Sequence, residues 1–254
     1  MINYKYGTYA AKSVVGLVRT NNEDVFCVDA EKSLFVLADG MGGHSRGELA
    51  SSEATKTIMN FIAGWRSKGN DLSGKNGIEI VQQAFHAANS ELEKRNGDAR
   101  GRNAMGTTLS LLAINDDKSF IAANVGDSPI LAFFETDSKS KIHILSQEHT
   151  LKADLIRRGA PQNVMFGSRS LGLTRSIGTG QSPEPHIAIG NLTSGDRMIL
   201  CSDGVGDTNQ FVSMLSKTKI YEQGCDDFVN SVIMSALDLG GNDNCTCIVV
   251  DFIP

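Results

Sequence analysis

The sequence predicts an α+β fold in which two antiparallel sheets face each other with helices outside, a four-layer α-β-β-α sandwich. Three observations carry this. Segments with strand character and segments with helix character come in blocks, not in β-α-β alternation. The strand segments that begin near Ser33, Thr107 and Cys245 are apolar on both faces, as expected in the middle of a stack. A dense run of short strands with turn residues between them occupies the centre of the chain.

Residues 7–15, 24–28 and 33–38 alternate and are rich in residues that suit strands. Residues 46–65 read as a helix, because Ala50, Ala54, Thr57, Ile58, Phe61 and Ile62 recur at helical spacing. A polar, Gly-containing loop over 67–77 leads to a second helix from about 78 to 94, with Ile80, Ala84, Phe85, Ala88 and Leu92 on one side. After a loop over 95–103, strands are expected at 107–114, 119–125, 129–134 and 141–145, as an antiparallel meander with a turn at 115–118 and a hairpin tip at 136–141. A short helix over 150–158 is closed by Gly159, and 160–184 is an ordered but irregular excursion. Strands at 186–189 and 198–201, helices at 209–216 and 225–239, and a last strand at 245–252 complete the chain.

Composition narrows the class. At ~150 residues per domain, 254 residues make one large domain or two small ones, and no internal repeat divides the chain. Hydrophobic content of 41% with 21% charged residues excludes bulk disorder. A net charge of -5 argues against a nucleic-acid binder, which usually carries a basic excess. No stretch approaches the ~20 apolar residues of a membrane span, and the amino terminus has no basic segment followed by an apolar one. The five cysteines lack the even count and spacing of a disulfide framework, so they are expected to be reduced, small hydrophobes in a cytoplasmic protein.

The chemistry is carried by acidic residues next to apolar strands. Asp39-Gly40 follows 34–38, Gly126-Asp127 follows 122–125, Ser202-Asp203-Gly204 follows 198–201, and Asn242-Asp243-Asn244 leads into the last strand. One such aspartate is an ordinary turn residue. If the four converge, cations must balance their repulsion. Hard oxygen donors without His or Cys companions select Mg²⁺ or Mn²⁺, and a pair of such ions suits hydrolysis of a phosphate ester. Arg19 is a candidate clamp for the phosphate; the alternative is an ordinary surface arginine.

Seven segments appear in the order seen in metal-dependent protein phosphatases of the type 2C family. They are Arg19-Thr20-Asn21-Asn22-Glu23-Asp24, Ala38-Asp39-Gly40-Met41-Gly42-Gly43-His44, Gly106-Thr107-Thr108, Asn124-Val125-Gly126-Asp127-Ser128, Leu173-Thr174-Arg175-Ser176-Ile177-Gly178, Cys201-Ser202-Asp203-Gly204 and Asn242-Asp243-Asn244-Cys245-Thr246. The chain resembles the compact bacterial branch of that family from about residue 7 to 252. The resemblance implies a single phosphatase domain over 1–254 with a flap at about 148–175, and a site for two Mn²⁺ or Mg²⁺ ions at one end of the sandwich. Asp39 would bridge the ions, Gly40 would offer its carbonyl, and Asp203 and Asp243 would complete the shell. Glu23 and Asp24 would hold metal-bound waters. Asp127 would serve a third, weaker metal together with Asp203, and Arg19 would clamp the phosphate.

The implied activity is hydrolysis of phosphoserine and phosphothreonine in proteins by a metal-bridging water or hydroxide, opposing a Ser/Thr kinase, by a monomer that binds neither nucleic acid nor membrane. No Cys-x5-Arg loop is present for a covalent phosphoenzyme. Met41 stands where many animal members place a proton-donating histidine. His44 is the candidate general acid; alternatively it bonds a loop carbonyl and water protonates the leaving group. His86, His143, His149 and His186 read as structural or exposed, and Arg157 and Arg158 as a solvated helix end or a contact for acidic substrate segments. Two other readings remain at this point. One is a non-catalytic scaffold of the same fold, which would usually have lost a metal aspartate. The other is a hydrolase of small phosphoesters, which would need stacking aromatics, and aromatic content is only 6%.

Overall fold

The structure is a computed structural model and describes residues 1–42, 46–99, 103–135, 141–161, 172–206, 208–217 and 223–253. The chain opens with two hairpins, β1 (Ile2–Tyr4) with β2 (Gly7–Val14), then β3 (Asp24–Asp29) with β4 (Leu34–Met41). Helices α1 (Arg46–Arg66) and α2 (Gly74–Asn96) follow. The central strands are β5 (Gly106–Thr107), β6 (Leu109–Ile114), β7 (Ser119–Val125), β8 (Ile130–Phe134) and β9 (Lys141–Ile144). Then come α3 (Leu151–Arg157), β10 (His186–Asn191), β11 (Arg197–Cys201) and a 3₁₀ turn over Asp203–Val205. Helices α4 (Thr208–Lys217) and α5 (Cys225–Asp238) precede β12 (Cys245–Phe252).

One sheet has the order β1-β2-β12-β11-β8-β9 and the other β10-β7-β6-β4-β3, with β5 pairing to β4. Every pairing is antiparallel. The three segments read as apolar on both faces are β4, β6 and β12, and each has a strand on either side. Three buried clusters build the layers. Phe35, Leu37, Leu112, Ile130, Leu200 and Ile248 fill the space between the sheets. Ala54, Ile58, Ala84, Phe85 and Leu92 of α1 and α2 pack on Val36, Leu111 and Ala123 of one sheet. Phe228, Val232 and Ala236 of α5 and Phe211 of α4 pack on Ile199, Cys247 and Val249 of the other. The expected α-β-β-α order follows. All five cysteines are free, and Cys201, Cys225, Cys245 and Cys247 are buried.

Several expectations need correction. The strands from residue 107 to 145 are not one meander. β6 and β7 pair in one sheet, whereas β8 and β9 pair in the other. The chain crosses between sheets over 126–129, so Asp127 lies on a crossover and not on a hairpin turn. Turn residues and apolar runs mark strand ends, but they do not say which sheet the next strand joins. The segment expected as one strand over 107–114 is broken at Thr108 into β5 and β6. β4 runs past residue 38, so Asp39-Gly40 is inside a ladder and not beyond it: Asp39 faces Asp24 of β3 and Gly40 faces Thr107 of β5. α2 starts at Gly74 and not near 78, because its first turn folds back over buried Leu72, where a Cβ on Gly77 would meet the Leu72 carbonyl at 1.9 Å. β1 was not anticipated. Of the hairpin tip at 136–141, only the backbone of Lys141 is among the described residues.

Candidate metal and phosphate site

The end of β4, the start of β3, the crossover after β7, the turn after β11 and the approach to β12 meet at one pole of the sandwich. Asp39 is fixed there through its backbone. Its N–H donates to Thr108 Oγ1 at 2.9 Å, and its carbonyl accepts from the Thr108 N–H at 2.9 Å and Thr107 Oγ1 at 2.8 Å. The Gly40 N–H donates to the Glu23 carbonyl at 3.1 Å. A Cβ on Gly40 would lie 2.1 Å from the Gly47 carbonyl, and one on Gly47 would lie 2.6 Å from Glu23 Cδ. Glycine at both positions therefore lets α1 begin directly over the β3–β4 hairpin. Ser51 Oγ tightens that approach with a 2.6 Å bond to the Glu23 carbonyl.

Asp24 is buried. Its Oδ2 accepts from Ser202 Oγ and Thr246 Oγ1, each at 2.7 Å, while Oδ1 has no hydrogen-bond partner. Asn244 joins three segments: its Nδ2 donates to the carbonyls of Val15 at 2.9 Å and Asn21 at 2.8 Å, and its Oδ1 accepts from the Glu23 N–H at 2.8 Å. The turn after β2 lies along the 240–243 loop. Leu17 N–H donates to the Gly241 carbonyl at 2.7 Å, and Gly16, at φ +84, leaves no room for a Cβ, which would meet the Asp243 carbonyl at 2.2 Å. That seam delivers Arg19 to Asp243, with Nη2 2.7 Å from Oδ2. Both side chains are partly exposed, at 52% and 39%, so the pair is worth little as a stability element and keeps the guanidinium available.

The carboxyl groups are electrostatically linked. Burial, then the charges of Asp24, Asp203 and Asp127, push the Asp39 carboxyl well above its ordinary range, and Asp39 donates a hydrogen bond to Asp203. Burial also raises Asp203, partly offset by that hydrogen bond. Asp24 is pushed up to about 7 by burial, against its two hydroxyl bonds and with the help of Asp203 and Asp243. Asp127 is pushed up to about 7 by burial and by the charge of Asp203. Burial raises Glu23, opposed by Arg19. Asp39 and Asp127 remain half-buried and Asp203 opens to solvent, so this is a crowded concavity and not a sealed core.

Among the described residues, no three His, Cys, Asp or Glu side chains already stand as a closed coordination shell. The residues nonetheless fit hard divalent cations. The carboxyl pKa values are raised by burial and by mutual repulsion, their donors are all oxygen, and Asp24 Oδ1 is buried without a partner. The fold brings together Asp24, Asp39, Asp127 and Asp203, with Asp243, Glu23 and Arg19 beside them. Gly40 sits in the β4–β5 ladder next to Asp39. His44 lies outside the described residues.

Sequence reasoning assigned no role to four supports of this pole, Ser202, Thr246, Asn244 and Thr108, and it read His149 as structural or exposed. Ser202, Asn244 and Thr246 do carry a signal, polar positions alternating with buried Cys201, Cys245 and Cys247. His149 is structural and almost fully buried. Its Nδ1 accepts the Gly126 N–H at 3.1 Å, its own N–H donates to the Gly126 carbonyl at 3.0 Å, and Nε2 has no partner. Of the expected flap, 148–161 and 172–175 are described, and 162–171 lie outside the described residues. The two described stretches are tied at a Thr150–Leu173 bridge, with bonds from Leu151 N–H to Gly172 and from Thr174 N–H to His149. Arg157 pairs with Asp154 and donates to the Glu148 carbonyl, so it is engaged within this segment.

A sandwich of this topology with an acidic pole and one adjoining guanidinium defines a class of metal-dependent phosphatases, and comparison with known proteins agrees. The profile of the Protein phosphatase 2C family matches residues 18–233, and the chain belongs to that family. It is 30% identical over 247 residues to the serine/threonine protein phosphatase PstP of Mycobacterium tuberculosis, across 96% of this chain and 45% of that protein. The chain thus spans about half the length of that relative. It is 29% identical over 252 residues to the protein phosphatase PhpP of Streptococcus pneumoniae, across 93% and 94% of the two chains. A solved structure of the catalytic domain of PstP in complex with two manganese ions superimposes with a TM-score of 0.73 at 27% identity, covering 97% of this chain and 98% of that one.

Proposed function

We propose that the chain is a metal-dependent phosphatase of phosphoserine and phosphothreonine in proteins. The observation that carries this is the acidic pole, where the Asp39 and Asp203 carboxyls crowd within hydrogen-bonding reach, Asp24 keeps an unpartnered buried oxygen, and Arg19 stands alongside. Asp39, the Gly40 carbonyl, Asp203 and Asp243 are the proposed holders of two Mn²⁺ or Mg²⁺ ions. Glu23 and Asp24 lie behind them, and Asp127 with Asp203 serves a third. The manganese-bound PstP structure supports the choice of ion. When bound, such ions activate water as a nucleophile and neutralise phosphoryl oxygens.

The protein's own groups orient the substrate. Arg19, exposed and held from one side by Asp243, offers its remaining N–H groups to the phosphate in a fork geometry. Ser202 and Thr246 fix the Asp24 carboxyl, and Thr107 and Thr108 fix Asp39, so neither needs to reorganise. His44 is the proposed proton donor to the leaving alkoxide, with water as the alternative. The natural substrates are proposed to be phosphoproteins, including a cognate Ser/Thr kinase and its targets, in the cytoplasm. No described helix is long and apolar enough to cross a membrane.

The test is phosphate release from a phosphothreonine peptide with Mn²⁺. Activity lost in EDTA and restored by Mn²⁺ supports the reading; a rate unaffected by EDTA overturns it. A phosphorylated Ser/Thr kinase should lose its label under the same conditions, and a stable label where peptides are cleaved removes that part.

A further inference from the structure

We infer that a cavity beside the acidic pole is a subsite for an apolar side chain flanking the phosphorylated residue of the substrate. This deepens the phosphatase reading and rests on it. The cavity, about 240 Å³, lies between the 3₁₀ turn, the start of α4, the end of α5 and the 240–243 loop. Asp203 and Asp243 line both the cavity and the proposed metal site, so it opens off the place where the phosphate would be held. Val205, Ala236 and Leu239 give it apolar walls, Gln210 and Asn242 add neutral polar groups, and among the described residues no Lys, Arg or His lines it.

Its surroundings extend the apolar surface. Leu239, just past α5, is 75% exposed. Leu17 and Val18, at 68% and 62% exposed, directly precede Arg19. Leu17 is held against the 240–243 loop by its bond to Gly241, where a Cβ would lie 2.9 Å from Leu17 Cγ. Large apolar groups kept in water around a charged centre gain free energy only when something covers them. An acidic side chain would meet Asp203, Asp243 and the negative end of α5. A basic one would compete with Arg19 and the ions for the same two carboxylates. An apolar one finds Val205, Ala236 and Leu239. An extended substrate advances about 3.5 Å per residue, so a position one or two removed from the phosphorylated residue reaches the cavity.

The experiment measures kcat/KM of the Mn²⁺-loaded protein on phosphothreonine peptides that differ only in Leu, Gly, Lys or Glu at the flanking positions, with p-nitrophenyl phosphate as a substrate lacking any flank. Leu should exceed Gly by roughly tenfold. Leu239→Ser, which removes the apolar wall without adding a charge beside Asp203 and Asp243, should bring that ratio near unity while leaving p-nitrophenyl phosphate turnover and the melting temperature unchanged, since Leu239 is exposed. Equal values for Leu and Gly, a preference for Lys or Glu, or a Leu preference that survives Leu239→Ser overturns the subsite while the phosphatase reading stands. No hydrolysis of any of these substrates overturns that reading, and the subsite with it.

Discussion

The carboxyl groups of Asp39 and Asp203 lie within hydrogen-bonding reach of each other, and burial raises both, although the two residues arrive from different sheets. A proton held between them would offset the repulsion that a divalent ion would otherwise balance. Asp39→Asn keeps a donor in place of the shared proton and removes a charge from the cluster, so the fold should survive in EDTA with an unchanged or higher melting temperature. Turnover should fall by several orders of magnitude, and stabilisation by Mn²⁺ should disappear. Thermal melts with and without Mn²⁺, beside phosphate release, check all three. Near-normal turnover would remove Asp39 from the metal site.

The same cluster fixes the sign of the pH dependence after chelation. Asp24 and Asp127 hold their protons to about 7 in the folded chain, but ionise near 3.8 when unfolded. The folded state binds more protons in that window, so stability is lost as pH rises through it and is flat above. His149 acts oppositely: burial lowers its pKa from 6.5 to about 4, so its contribution is lost as pH falls through that interval. His149→Gln should therefore melt closer to wild type at about pH 5 than at about pH 7, because the variant lacks the acid penalty. In that variant the raised carboxyls should outweigh the opposing, downward-shifted His186, so the chelated protein should melt higher at about pH 5 than at about pH 8. A calorimetric pH series in EDTA measures both. A chelated His149→Gln that is most stable at alkaline pH would contradict the carboxylate shifts.

Arg19 lies on Asp243 at 2.7 Å but is half-exposed, so its removal should cost binding and not folding. Arg19→Ala should lower kcat/KM on phosphopeptides by about 10–100-fold, the value of one or two charge-assisted bonds, and leave the melting temperature nearly unchanged. Arg19→Lys should recover only part, since a point charge lacks the fork. Steady-state kinetics on the two variants distinguish a phosphate clamp from a surface arginine, which would leave kcat/KM intact.

Much of this was legible in the sequence because each catalytic candidate abuts an apolar strand, and such strands must enter a core. The layer order followed from blocks of strands and helices, and the central places of β4, β6 and β12 from their two apolar faces. The sequence did not reveal that the chain changes sheets after Val125, since a crossover and a hairpin turn use the same Gly and Asp residues. Nor did it show that Asp39 stands opposite Asp24 in a ladder, because the register of the β3–β4 hairpin is set by the geometry of the turn over 30–33, which the apolar pattern does not specify. Asn244 escaped assignment because its role is hydrogen bonds to backbone groups of distant segments, which no local pattern encodes.

Two glycines, Gly40 beneath the start of α1 and Gly64 near its end, should respond oppositely to the same change. Gly40 has its missing Cβ only 2.1 Å from the Gly47 carbonyl and 2.7 Å from that of Glu23, so Gly40→Ala must push the start of α1 off the β3–β4 hairpin. Backbone cannot give way as a flexible side chain would, and overpacking of this kind costs about 1–3 kcal/mol. For a chain of this length that is a fall of roughly 2–12 °C in melting temperature. The displacement also moves Glu23 and the Asp39 backbone, so Mn²⁺ affinity should weaken together with stability. Gly64 lies within α1 with nothing within 4 Å of its Cβ position. Gly64→Ala should therefore stabilise by about 0.5–1 kcal/mol through helix propensity, without altering Mn²⁺ binding. Melting curves and Mn²⁺ titration calorimetry on both variants test the contrast; equal effects would mean that α1 does not seat on the acidic pole through Gly40.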